Sequence, residues 1–272
     1  HQPTANYVNY YGMANGLPLD DPDSGFDPSH PFKNRDPRFY HDIVFDGFQY
    51  INTTIAKDDD DYQFKYIQMY TGSKLRSSAS QGCRTGYYCQ KLVPHQANKY
   101  DGMYNWGSAL QCDLPYMRLA DIYLMYAEAG AAAQGANYKS NKCNLTAVDA
   151  INVLRDRVEA GHVADKFVAD QKKFMDEVRR ERAVELAFEG FRWNDLQRWL
   201  LLTEYPYNIK TSQEFKRVGN YDFTKNDPRD AEVTGWSEKT ILTRDYSEKH
   251  YLLPLKQNDV YLYPEFGQNP GW

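Results

Sequence analysis

The spacing of apolar positions changes character at Leu114. Before it, the chain reads as loops and short strands. "MANGLPLDDPDSGFDPSHPFKNRDPRF" places Pro, Gly, Asp or Asn every few residues, which is turn chemistry. "YHDIVFDGFQYINTTI" puts strand-like residues on both sides of Asp46-Gly47 and predicts a strand pair turning there. "DDDDYQFKYIQMY" predicts an acidic loop followed by an edge strand, and "GYYCQKLV" a further strand.

From Leu114 onward the period is helical. "LPYMRLADIYLMYAEAGAAAQG" carries Met117, Ile122, Leu124, Met125, Ala129 and Ala132 at mixed helical spacings. It ends in small residues that permit close helix contact and stops at Gly135. "NLTAVDAINVLRDRVEAG" predicts a second helix, with Thr146 as its cap and Gly161 as its stop. Its apolar face is Val148, Ile151, Val153, Leu154 and Val158. Two antiparallel helices with a loop between them form the unit of a helical-repeat solenoid. A third and longest helix is expected from near Asp170 through "VRRERAVELAFEGFRWNDLQRW" to Trp199. Beyond Trp199 the pattern dissolves into loop with short elements and a Pro-punctuated, extended tail. The expected fold is therefore mainly α, with tetratricopeptide-like helix pairs packed with a loop-rich region containing short β-strands. Its parts are a loop-rich region at 1–113, a helical region at 114–200 and an irregular region at 201–272, all within one domain.

The third helix raises the question of chemistry. Arg182 and Glu185, Glu189 and Arg192, Arg192 and Asp195, and Asp195 and Arg198 each stand three apart. On a continuous helix these opposite charges would sit side by side on neighbouring turns. Val184, Phe188, Phe191 and Trp199 form one apolar stripe, and Leu186, Trp193, Leu196 and Leu200 a second. The helix should thus pack against more than one neighbour, with Trp193 and Trp199 in the core. Glu185 and Glu189, one turn apart, could serve as paired catalytic carboxylates. Each has an arginine at helical reach, however, which favours the ionised form and suits a structural ion-pair network.

Net charge is −5, which argues against a nucleic-acid ligand. The acidity is local: Asp20 to Asp61 holds eleven Asp, no Glu and four Lys or Arg. Within it, Asp21, Asp23 and Asp27 of "DDPDSGFD" offer oxygen ligands resembling part of a calcium loop. Pro22 and the missing distal Glu depart from an EF-hand, and an Asp-capped surface turn is the competing reading. No other cofactor is indicated. The chain contains no G-x-S-x-G, H-E-x-x-H, P-loop or Rossmann glycine pattern. Cys83, Cys89, Cys112 and Cys143 allow three complete pairings. Cys83 and Cys89 flank "RTGYY", compatible with a local disulfide in an oxidising compartment; reduced, buried thiols are the alternative. Zinc is disfavoured by the spacing. No apolar run approaches the roughly 20 residues of a membrane span. The chain starts at His1 rather than Met, as expected of a processed form or fragment.

Tyrosine contributes 23 residues, and its apolar face and polar tip suit a surface that grips a wet ligand. Loop placement singles out Tyr50 after the Asp46-Gly47 turn, with Asp101, Tyr104, Asn105 and Trp106 of "KYDGMYNWGS", as candidate ligand contacts.

"YMRLADIYLMYAEA", "AINVLRDR", "RRERAVELAFEGFRWNDLQRW" and the terminal "QNPGW" resemble, in order, the C-terminal half of the SusD/RagB family. "NGLPLDDPDSG", "NRDPRF" and "TGYYCQK" resemble its middle region. The resemblance implies a non-enzymatic, outer-membrane, cell-surface lipoprotein. Such a protein binds oligosaccharide, or in some members peptide, and delivers it to a SusC-like TonB-dependent transporter. It also implies an N-terminal half, bearing the lipidated cysteine and further helix pairs, that this chain lacks. A glycoside hydrolase using paired carboxylates is the alternative of another class.

Overall fold

The computed structural model describes residues 2–77, 82–94, 96–102 and 115–272. Its N-terminal part holds three short helices, α1 (Ala5–Val8), α2 (Pro37–Asp42) and α3 (Lys74–Ser77). A two-residue strand, β1 (Ile43–Val44), pairs antiparallel with β2 (Tyr88–Cys89). Aromatic packing substitutes for regular structure. Phe32, Phe39 and Phe45 are buried with ring centroids 5.0 to 6.4 Å apart, and Tyr11, Tyr87, Ile43 and Met69 fill the space around them.

Asp46-Gly47 does turn the chain, with Gly47 at φ +84° and the Phe48 N–H donating to Phe45 O at 3.1 Å. It does not join a hairpin. The strand before it pairs with β2, and Gln49 after it bridges to Tyr66. The reason is the Asp46 carboxylate, which is buried. It accepts from the Met69 N–H at 2.7 Å and from Arg217 at 2.7 and 2.9 Å, so distant segments capture the turn. The edge strand expected after the acidic loop is instead a 3₁₀ turn at Tyr62–Phe64.

The helical part follows the periodicity more closely. α4 (Leu119–Gln134) packs against α5 (Ala147–Arg157) and α7 (Gln171–Glu185), with the single turn α6 (Asp165–Val168) leading into α7. α4 stops at Gly135, φ +89°. α5 is capped by a reciprocal box in which Thr146 Oγ1 accepts from the Asp149 N–H and Asp149 accepts from the Thr146 N–H. Asp170 caps α7 through the Lys173 N–H. The small residues of α4 have the expected use: a Cβ on Gly130 would stand 2.8 Å from that of Ala147, so the two helices meet nearly backbone to backbone.

The third helix is not continuous. α7 ends at Glu185, and a second helix, α8 (Arg192–Arg198), begins after a turn in which Phe188 (φ +64°) and Gly190 (φ +91°) are left-handed. The C-terminal stretch, expected to lack long elements, holds a twisted hairpin of β3 (Ile209–Arg217) and β4 (Val233–Thr243). Thr211, Ser212, Gln213 and Phe215 are buried, and Phe215 and Val233 join the aromatic core. Register shifts after Lys210 and Glu214 bend the pair onto that core. The last helix is α9 (Gln257–Leu262). Cys83, Cys89 and Cys143 carry free thiols. The Cys83 thiol is buried and donates to Tyr87 O at 3.0 Å, so the local disulfide is not formed. Cys112 lies outside the described residues.

The two parts meet most tightly where the N-terminal loop passes the exit of α5. The Gly161 N–H donates to Ala14 O at 2.7 Å, and a Cβ there would stand 2.2 Å from Asn15 O. Gly161→Ala must therefore push two backbone segments apart. A loss of about 1–3 kcal/mol is expected, read as a lower urea midpoint with an unchanged slope.

Candidate functional site

The charges of α7 and α8 separate into two environments. Glu177, Glu181 and Glu185 fall four apart on one face of α7 and are all buried. Arg155 of α5 bridges the first two, its Nη2 donating to Glu177 at 3.0 Å and its Nε to Glu181 at 2.9 Å. Arg38 of α2 bridges the next two, pairing closely with Glu181 and donating to Glu185 at 3.0 Å. Glu185 also accepts from Arg118 and Arg157, each at 2.6 Å. Glu189 accepts from Arg118 and Lys91, each at 2.8 Å. Glu177 also takes Arg180, three residues on, at 2.6 Å. Glu181, Glu185 and Glu189 are spent on cations from elsewhere in the fold, and the expected pairs Arg182–Glu185 and Glu189–Arg192 are not formed.

Arg182 illustrates the difference. It donates to Asp121 of α4 at 2.9 Å and to Asp195 at 3.0 and 3.1 Å, and does not pair with Glu185. Arg182 and Asp195 are thirteen residues apart, about 20 Å along a straight helix. The left-handed turn at Phe188–Gly190 folds α8 back and makes the contact. Of the expected i,i+3 pairs, Asp195–Arg198 is formed, at 2.8 Å. Arg198 also pairs with Glu128, to which the Trp199 indole N–H donates at 2.8 Å.

Arg192 is the exception. Among the described residues it enters no ion pair, with neither Glu189 nor Asp195. Its guanidinium instead lies 4.9 Å from the Tyr10 ring centroid, 5.5 Å from Tyr207 and 6.0 Å from Tyr7. Its Nη1 is buried without a hydrogen-bond partner. The helix break rotates it out of the charge network and into the wall of a cavity of about 510 Å³. α1 supplies Asn6 and Tyr7, with Tyr10 just beyond. α8 supplies Arg192, Trp193 and Leu196, and the hairpin supplies Ile209 and Lys210, with Arg244 after β4. Among the described residues no aspartate or glutamate lines it. Trp193, expected in the core, is 37% exposed here, with Tyr246 edge-on at 5.7 Å. Burial pushes the Tyr10 hydroxyl up to about 12 despite the adjacent Arg192, so it stays a neutral donor.

The candidate contacts chosen from loops are placed differently. Tyr50 is half-buried against the aromatic core. Asp101 clamps the backbone, accepting from the Asn52 and Thr53 N–H groups at 3.0 and 2.7 Å and from Asn98 at 2.8 Å. Desolvation opposes its ionisation, but these donors win and hold it well below the usual carboxylate range. Tyr104, Asn105 and Trp106 lie outside the described residues. The aspartates proposed for calcium already have protein partners. Asp21 and Asp23 converge on the Lys166 ammonium at 2.6 and 2.7 Å, and Asp27 faces His30 at 2.9 Å. Among the described residues no cluster of His, Cys, Asp or Glu is placed to hold a metal ion. The missed residues had one legible signal, the four-residue spacing of Glu177, Glu181 and Glu185.

The SusD family model matches residues 1–272. The chain belongs to the SusD family. Solved structures similar to it include a SusD-like protein from Bacteroides fragilis, 24% identical, with TM-score 0.67 over 100% of this chain and 47% of that one. A SusD-like carbohydrate-binding protein from the same organism is 23% identical, with TM-score 0.61 over 96% of this chain and 47% of that one. A SusD superfamily protein from Bacteroides vulgatus is 19% identical, with TM-score 0.51, covering all of this chain and 44% of that one. This SusD-family chain thus spans less than half the length of the solved structures it resembles. No curated protein matches it.

The charge network makes stability depend on acid pH. Burial would raise Glu181, but Arg38 and Arg155 outweigh it and hold the carboxyl at about 2, against an ordinary value of 4.5. The folded value lies below the unfolded one, so the stabilisation is present at neutral pH. It is lost as pH falls from about 4.5 through about 2, and the urea midpoint should fall across that window. Arg38→Met should cost about 3–5 kcal/mol, because it strips buried carboxylates of a cation. Arg157→Met, at a half-exposed arginine, should cost about 0–1 kcal/mol. Equal losses in the two variants would contradict this account.

Proposed function

We propose that this chain is the C-terminal part of a cell-surface glycan-binding lipoprotein that captures oligosaccharide and passes it to a SusC-like TonB-dependent transporter. The observation that carries the reading is the SusD family match along the whole chain. The cavity between α1, α8 and the hairpin is consistent with it, since aromatic faces beside a few polar groups are what sugar rings stack against. Glu185 and Glu189 do not resemble a general acid and its partner. Each is held by two or more cations, and Arg118 and Lys91 outweigh desolvation to keep Glu189 below its usual range. The expected result with a polysaccharide panel is retention on at least one glycan with no new reducing ends. Release of reducing ends would favour a hydrolase, and binding confined to oligopeptides would favour peptide capture.

We further propose that the helix pairs continue, tetratricopeptide-like, into an N-terminal half that docks on this chain. Ile122, Met125, Ala129 and Ala132 line one exposed face of α4, and Met117 and Leu119 extend it. Glu128 on α4 pairs with Arg198 of α8, and Gln197 of α8 donates to Tyr251 O. Leu253, Tyr261, Leu262 and Phe266 of the tail are also exposed. An apolar surface of this extent normally has a partner. The double variant Ile122→Asp, Met125→Asp should leave this chain's own stability within about 0.5 kcal/mol and abolish its co-purification with a separately expressed N-terminal half. Unimpaired co-purification would count against this face.

A further inference from the structure

We propose that the cavity between α1, α8 and the hairpin selects an acidic glycan, seating a uronate carboxylate among Arg192, Lys210 and Arg244. This rests on the reading of the protein as glycan-binding and adds the charge of the ligand.

Among the described residues three cations line the cavity and no acid does. None of the three enters an ion pair among the described residues, in a protein whose net charge is −5. The contrast with their surroundings is sharp, because Arg179, Arg180, Arg182 and Arg198 on the same two helices all pair with carboxylates. Two of the cations, Lys210 and Arg244, also oppose each other. Burial and the positive charge of Arg244 both push the Lys210 ammonium below its ordinary value. An entering anion relieves that repulsion, whereas a neutral ligand leaves it in place.

The local geometry favours a carboxylate on a ring. Arg192 lies against Tyr10 and Tyr207 in the cavity wall, and a planar guanidinium fork suits a planar acceptor such as a carboxylate. Trp193, on the same wall, presents an exposed indole on which the sugar face can stack. A uronate carries both features on one residue. The volume of about 510 Å³ suits a short segment of chain rather than a single sugar.

The test compares oligogalacturonate with its carboxyl-reduced, neutral counterpart by calorimetric titration of the purified protein. The pair shares ring and linkage and differs only in charge. Oligogalacturonate should bind at least about tenfold more tightly, as expected for charge-assisted hydrogen bonds. The preference should shrink as salt is raised and disappear in Lys210→Met, Arg244→Met, both partly exposed positions. Trp193→Ala should weaken both oligomers alike. Equal or tighter binding of the neutral oligomer, or an acid preference that survives the double variant, overturns the assignment and leaves glycan capture standing. Failure of both oligomers to bind also overturns it, while the polysaccharide panel decides glycan capture separately.

Discussion

The fold depends on the row of buried carboxylates along one face of α7. Ionised carboxylates taken out of water cost several kcal/mol each unless paired. Glu177, Glu181 and Glu185 can therefore be buried only where Arg155, Arg38, Arg118 and Arg157 are delivered to them. Those arginines come from α5, from α2 in the loop-rich part and from the approach to α4. Arg38 carries the longest consequence. It is held by Asp36 through three hydrogen bonds of 2.8 to 3.0 Å and reaches across to α7, so the loop-rich layer and the helical layer have one relative position that satisfies both. Arg35, three residues earlier, does a parallel task without any carboxylate. It donates to the carbonyls of Tyr11 and Pro31 and stacks 4.4 Å from Phe39. A region with few regular elements is thus pinned by guanidinium groups where a sheet would otherwise supply backbone hydrogen bonds.

What the sequence makes legible is what is local. The cap at Thr146, the stop at Gly135, the start at Asp170 and the close approach allowed by Gly130 all depend on residues within a turn or two, and all stand in the structure. What it hides is pairing at a distance. Helical spacing joins Arg182 to Glu185, but burial hands Arg182 to Asp121 and Asp195 and brings Glu185 three arginines from three other segments. The hairpin is hidden for a related reason. Fifteen residues separate β3 from β4, too many for a tight-turn signature, and the strands are as rich in Lys, Glu, Ser and Thr as any loop. The burial of Thr211, Ser212, Gln213 and Phe215 distinguishes β3 from a loop, and that is visible once the core is known.

The candidate site is only partly legible, because residue type and loop placement do not show what a side chain is already bonded to. Asp101 is an example. Its loop is ordered by the aspartate itself, whose oxygens are consumed by backbone N–H groups, leaving little with which to hold a ligand. Trp193 shows the converse. Its position on an apolar stripe marks it for the core, yet the stripe presumes a straight helix, and the turn before it carries the indole to the surface.

That turn joins the scaffold to the site. On an uninterrupted helix Arg192 would stand between Glu189 and Asp195, one turn from each, and would be neutralised as Arg198 is. Breaking the helix at Phe188–Gly190 gives Asp195 to Arg182 and leaves Glu189 to Arg118 and Lys91. Arg192 is then the cation left over. A left-handed Phe188 costs on the order of 1–2 kcal/mol against the helical alternative. Its ring recovers contact against Tyr7, 5.7 Å away, the same tyrosine whose face Arg192 approaches. Tyr7 is itself fixed by donating to Ala183 O at 2.6 Å, on the last full turn of α7. The geometry that completes the buried charge network is thus the geometry that leaves one guanidinium, framed by tyrosines, facing an open cavity.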